Sequence, residues 1–158
     1  MVIDMLVDIV SRNGNLLLNF PLPSNGELDA EELKILSEIT NWMAVNSEAI
    51  YSTRPWKTFG QGPGTATAAQ DARFNERNRK LLTADDLRFT AKGKMLYAFV
   101  MGWPEKETAI PVADRASNVE LLGFKGKLKW SQDMSGLKVQ LPPEKPCDHA
   151  IALKIALA

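Results

Sequence analysis

Leu6-Val7-Asp8-Ile9-Val10-Ser11-Arg12-Asn13-Gly14-Asn15-Leu16-Leu17-Leu18-Asn19 changes its apolar period halfway along, and that change decides how the chain reads. Up to Ser11, the residues Ile3, Leu6, Val7 and Val10 recur at helical spacing with Asp4, Asp8 and Ser11 between them, which predicts a helix. Asn13-Gly14 is suited to a left-handed C-terminal turn and should stop it. Asn15 to Phe20 is too short for a helix and is closed by Pro21, so it reads as a buried strand. Pro21 to Gly26 is loop. Asp29 then caps a second helix, Glu32 completes a capping box, and Leu33, Leu36, Ile39 and Met43 form an apolar stripe that ends near Asn46. Helix, strand and helix in this order describe the closing unit of a (β/α) barrel or layered sheet, in which a central strand needs neighbours on both edges. No cap residue precedes the first helix, so the expectation is that residues 1–58 are the incomplete end of a larger unit.

Residues 59–84 read as a linker, because Gly60-Gln61-Gly62-Pro63-Gly64 and Thr65-Ala66-Thr67-Ala68-Ala69 are small and polar. From Asp85 the period becomes two. Leu87 and Phe89, the run from Met95 to Met101, Val119 and Leu121, Leu128 and Trp130, and Leu137, Val139 and Leu141 mark successive strands. Ile151, Leu153, Ile155 and Leu157 alternate with Ala152, Lys154 and Ala156 in the last. Gly and Pro clusters separate these runs, which predicts an antiparallel β-sandwich over residues 85–158, with Asp85 and Asp86 on opposite sides of a strand. The expected fold class is α+β: the truncated helix-strand-helix end of a (β/α) barrel followed by an antiparallel β-sandwich.

At 158 residues, 45% hydrophobic and 24% charged, the chain has the composition of an ordinary globular protein. Its 19 basic and 19 acidic residues cancel, leaving no global field to draw it to nucleic acid or an anionic membrane, and no run of about twenty apolar residues could span a bilayer. Neither is an expected partner. One cysteine, Cys147, excludes an internal disulfide, and with one histidine it makes none of the usual zinc ligand sets, so neither metal nor cofactor is expected.

The run from Leu6 to Asn19 resembles the closing helix and strand of the barrel in family twenty-nine glycoside hydrolases, the α-L-fucosidases. Trp42, Val45-Asn46, Glu48, Ala49-Ile50-Tyr51, Thr53-Arg54-Pro55-Trp56 and Gly62-Pro63 resemble that family's exit from its barrel. Phe74-Asn75-Glu76, Thr83-Ala84-Asp85-Asp86, Arg88-Phe89-Thr90, Gly102-Trp103-Pro104, Gly123 and Leu128-Lys129-Trp130 resemble its C-terminal sandwich. The chain departs from the family pattern at Pro21-Leu22-Pro23, Ser47 and Gln61. The resemblance implies a retaining hydrolase of terminal α-L-fucosyl linkages, acting on fucosylated glycans, from a family commonly secreted, periplasmic or lysosomal. In such enzymes one carboxylate attacks the anomeric carbon and a second, about 5–5.5 Å away, protonates the leaving oxygen. The resemblance places both N-terminal to this segment, so no catalytic residue is expected here. The expected partner is a missing N-terminal barrel, with self-association of the uncovered strand as the alternative.

Two residues are candidates for substrate contact. Strand alternation puts Asn15, Leu17 and Asn19 on one face, and Asn19 would reach the C-terminal mouth of a barrel, where substrates bind; the alternative is a polar residue satisfying the adjoining loop. Phe20 follows at the strand end, where the resemblance implies an apolar wall against the deoxysugar's methyl group; the alternative is packing against the last helix. Arg73, Arg77, Arg79 and Lys80 beside Phe74 form a basic cluster, read as a solvated linker face. His149 near Cys147 reads as a loop residue, and Trp103 and Trp130 as sandwich core. Exposed tryptophan on the sandwich would instead favour a non-catalytic carbohydrate-binding or structural module.

Overall fold

The computed structural model describes residues 2–65 and 81–158; residues 66–80, with the Arg73, Arg77, Arg79 and Lys80 cluster and most of the expected linker, lie outside the described residues. Helix α1 spans Val2–Ser11 and α2 Ala30–Asn46, followed by a 3-10 turn at Ser47–Ala49. The strands are β1 (Arg54–Gln61), β2 (Leu87–Lys92), β3 (Met95–Val100), β4 (Glu107–Ile110), β5 (Ala116–Leu121), β6 (Lys129–Asp133), β7 (Gly136–Gln140) and β8 (Ile151–Leu157). They form two antiparallel sheets, ordered β1-β2-β3-β8-β5 and β4-β7-β6.

Local rules set both helix ends. Asn13 takes φ 67°, and the Gly14 and Asn13 amides donate to the Ile9 and Val10 carbonyls at 2.8 and 3.0 Å, the paired bonds of a Schellman turn. At the start of α2, the Glu32 amide donates to Asp29 Oδ1 at 2.9 Å and the Asp29 amide to Glu32 Oε2 at 3.2 Å. That is the expected capping box, which satisfies two otherwise orphaned donors.

Tertiary packing is three layers deep. Leu96, Ala98 and Val100 of β3, with Leu87, Phe89, Ile151, Leu153 and Ile155, face the second sheet and bury Ile110, Leu137 and Val139. The alternate residues Tyr97 and Phe99, with Met101 and Ala152, face the other way and form a second core with Ile3 and Val7 of α1 and Trp42 of α2. The unbroken apolar run of β3 is thus the signature of a strand covered on both faces. Trp42 is the central peg of the helical layer: it is 2% exposed, stacks on Phe99 with ring centres 6.2 Å apart, and donates from Nε1 to the Ala150 carbonyl at 2.6 Å.

Four sequence expectations need correction. Asn15–Phe20 is not a strand but an irregular segment with no ladder partner among the described residues, because a strand exists only through the hydrogen bonds of its neighbours. The stripe of α2 is divided: Ile39 and Met43 pack on the second core, while Leu33 and Leu36 lie beyond its edge, 52% and 40% exposed. Asp85 and Asp86 lie in the turn before β2 rather than on it; Asp86 accepts from the Gly64 amide at 2.6 Å and the Thr83 amide at 3.0 Å, and so closes that turn. The boundary expected at 58/59 falls inside β1, which pairs with β2 through a bulge: Pro55 faces Thr90 and Gly60 faces Arg88, leaving Trp56 to Phe59 opposite Phe89. Gly60 permits this approach, since a Cβ there would collide with the Leu87 carbonyl and the Arg88 side chain.

Replacing Trp42 by alanine removes both its stack and its bond to Ala150, and should destabilise the chain by about 3–5 kcal/mol. Leu33→Ala, on the uncovered part of the same helix, should change stability by less than about 0.5 kcal/mol. Urea unfolding of the two variants checks the contrast; equal losses would mean that α2 is not seated as described.

Candidate functional site

The Schellman turn delivers the chain from α1 into the segment that carries both candidate residues. Asn19 is exposed and Phe20 half-buried, adjacent to each other and 85% exposed Leu17 close by. Leu18 and Leu22 are also exposed, at 37% and 62%. Leu33 and Leu36, in the first turns of α2, are exposed as well.

Most of the buried polar groups sit elsewhere, where the helices meet the five-stranded sheet. Arg88 of β2, 1% exposed, points to the helical layer and donates from Nε to Asp8 Oδ1 at 2.5 Å. Arg12, one turn beyond Asp8, takes its other oxygen at 3.2 Å and lies 3.7 Å from the centre of the Phe59 ring. Thr90 donates to the Ala49 carbonyl at 2.7 Å. Glu48 Oε1 accepts from the Tyr97 hydroxyl at 2.8 Å and from Lys154 at 2.5 Å. Sequence reasoning missed this layer. Its readable signal was Arg88 itself, a charge between Leu87 and Phe89 in a strand, which needs a partner once its face is covered.

These contacts shift two acids. Hydrogen bonds from Lys154 and then Tyr97 hold the Glu48 carboxyl below its usual value. Burial, and then the bond to Glu48, keeps the Tyr97 phenol protonated far above its ordinary range. Burial pushes the Cys147 thiol up, so it is no activated nucleophile. Cys147 lies with His149, Glu38 and Trp42 around a groove of about 180 Å³, in which His149 faces Glu38 at 3.5 Å. Among the described residues no group of three or more His, Cys, Asp or Glu is placed to hold a metal ion. Asp8, Asp86 and Glu48 are each engaged in joining elements. None of the tryptophans is exposed; Trp56, Trp103 and Trp130 are half-buried against the sandwich core.

Comparison with known proteins assigns this arrangement. The family model described as Alpha-L-fucosidase matches residues 1–48, and that of the Alpha-L-fucosidase C-terminal domain matches residues 80–156. The chain belongs to the α-L-fucosidase family. It corresponds to the end of the family's catalytic domain followed by its C-terminal domain. Human tissue alpha-L-fucosidase is 29% identical over 98% of this chain, and alpha-L-fucosidase of Branchiostoma floridae 27% identical over 97%. The chain spans 30% and 31% of those two relatives. Among solved structures, Thermotoga maritima alpha-fucosidase with a mechanism-based inhibitor superposes with TM-score 0.75 at 20% identity, over 98% of this chain and 33% of that one. Paenibacillus thiaminolyticus alpha-L-fucosidase isoenzyme 1 gives TM-score 0.71 at 24% identity, over 99% and 34%. These likenesses establish the fold of two helices and two antiparallel sheets. In α-L-fucosidase terms, the residues that resemble the barrel exit are the junction itself: Trp42, Glu48 and Ala49 bond the helical layer to the sheet, and Trp56 meets Phe89 edge-on at 5.3 Å.

The Glu48 contacts give a pH signature. A carboxyl whose folded pKa is depressed contributes stability that is present above its unfolded value and is lost as pH falls through the folded one. Glu48→Gln should therefore be slightly less stable than the parent near neutral pH, and the gap should close as pH falls below 4.5, the ordinary value. Paired urea titrations near neutrality and at about pH 3 check this. The gap is small because Glu48 is 44% exposed and screened.

Proposed function

We propose that the chain is the portion of a retaining α-L-fucosidase that carries one edge of the fucose site, formed by Asn19 and Phe20, and that it hydrolyses nothing by itself. The observation that carries this reading is the coincidence of the family match over residues 1–48 with the unpaired, leucine-rich segment Asn15–Phe20. Joined to the other strands of a barrel, that segment would gain its hydrogen bonds, and Leu17, Leu18, Leu22, Leu33 and Leu36 would lose their contact with water. Asn19 would then offer an amide to sugar hydroxyls, and Phe20 an apolar wall to the methyl group of a deoxysugar. The reaction itself needs a nucleophilic carboxylate and an acid/base partner about 5–5.5 Å apart. The carboxylates of the helix–sheet junction are committed to holding elements together, which supports placing both groups outside this chain. The fucosylated glycan is accordingly a partner of the assembled enzyme. The half-buried state of Trp103 and Trp130 favours this reading over a free-standing sugar-binding sandwich.

Incubated with an aryl α-L-fucoside, the purified chain should release no aryl alcohol above background, since loss of a nucleophile alone costs about 10⁴-fold or more in rate. Release that is reproducible and is abolished by a substitution in this chain would overturn the proposal.

In the assembled enzyme, Phe20→Ala should lower discrimination for fucose over the same sugar without its methyl group by about 1–3 kcal/mol in kcat/KM. Equal losses for both sugars would reduce Phe20 to a packing residue.

A further inference from the structure

The last turn of α1 is held by contacts of unusual directionality. Asp8 presents its two carboxylate oxygens to two guanidinium groups, Arg88 Nε at 2.5 Å and Arg12 Nε at 3.2 Å. Arg88 is tied in turn to its own strand by donating from Nη1 to the Leu87 carbonyl at 2.8 Å. Phe59, brought over α1 by the β1 bulge, lies beneath both arginines, 3.7 Å from the Arg12 guanidinium and 5.6 Å from that of Arg88. Both β1 and β2 therefore grip α1 within one turn of the Schellman bend that launches Asn15–Phe20. Beyond that segment α2 does not begin until Ala30, and its first turns carry the exposed Leu33 and Leu36, so the launching end is where orientation is set.

We propose that Arg88 is a positioning residue: through Asp8, and with Phe59 and Arg12, it makes the five-stranded sheet dictate the direction in which the Asn15–Phe20 edge leaves α1. The functional meaning of that edge rests on the fucosidase reading; the clamp itself does not. Net stability is a poor explanation for such a pair, because a buried ion pair exchanged for apolar residues of similar volume is commonly neutral or stabilising. What the apolar exchange removes is direction. A carboxylate held by guanidinium groups fixes the rotation and rise of the helix end, whereas leucine against methionine tolerates sliding.

The test separates the two roles. In the 158-residue chain with Cys147→Ser, spin labels at Asn15→Cys, just past the bend, and at Ser131→Cys, exposed on β6, report the distance between the segment's start and the sandwich. The expected result is a single narrow distance distribution, broadened by about two-fold or more in Asp8→Leu/Arg88→Met while the urea midpoint stays unchanged or rises. Phe59→Ala, which leaves no charge unpaired, should broaden it in the same direction and carries the test if the double variant does not fold. A broad distribution in the labelled parent overturns the proposal, as does an unchanged width in both variants. No fucoside enters the measurement, so loss of the fucosidase reading would leave its result standing, and an unclamped α1 would leave that reading intact.

Discussion

The structure depends on one constraint: the five-stranded sheet is apolar on both faces and must be covered on both. Alternate residues of β3 and β8 point to opposite sides, with Leu96, Ala98, Val100, Leu153 and Ile155 toward the smaller sheet and Tyr97, Phe99 and Ala152 toward the helices. A three-stranded sheet covers the first face. Among the described residues α1, α2 and the turn after them cover most of the second, with Leu82, Leu122 and Cys147 at its margin. Removing the helical layer would return Tyr97, Phe99 and Met101 to water, so the end of the catalytic region and the C-terminal domain share a core rather than abut as separate bodies.

That shared core explains the chemistry of the residues by which the family is recognised. Trp42, Glu48, Ala49 and Thr90 each make a bond between the helical layer and the sheet. Burying polar atoms between two apolar layers is tolerable only when each finds a partner, and here tryptophan, tyrosine and threonine donate to backbone carbonyls or a carboxylate. Asn46 is the exception among the described residues. Its amide nitrogen donates to the Trp42 carbonyl at 3.1 Å, while its Oδ1 is buried with no protein partner.

The surface divides in the same way. Around the sandwich, exposed residues are mostly polar and the tryptophans are turned inward. Leu17, Leu18, Leu22, Leu33 and Leu36 are exposed instead between residues 17 and 22 and in the first half of α2. This is the part that matches the catalytic region of the family, and the chain spans about a third of the relatives that share it.

The sequence by itself determined whatever depends on residues close along the chain. Asn13-Gly14 stops α1 because asparagine tolerates positive φ and glycine follows freely, and Asp29 with Glu32 starts α2 because their side chains reach amides within the same turn. Alternation likewise marked β2, β7 and β8, and the order of motifs marked the family. Adjacency placed Asn19 and Phe20 together at the end of the leucine run, so the candidate edge was legible while its surroundings were not. Tertiary structure alone decided that Asn15–Phe20 carries no ladder among the described residues, that Gly60 belongs to a bulged strand rather than a linker, and that Asp8 meets Arg88 across 80 residues. The physical reason is common to all three. Strand pairing and the neutralisation of a buried charge are properties of two segments brought together, and neither segment's own pattern records which partner it will meet.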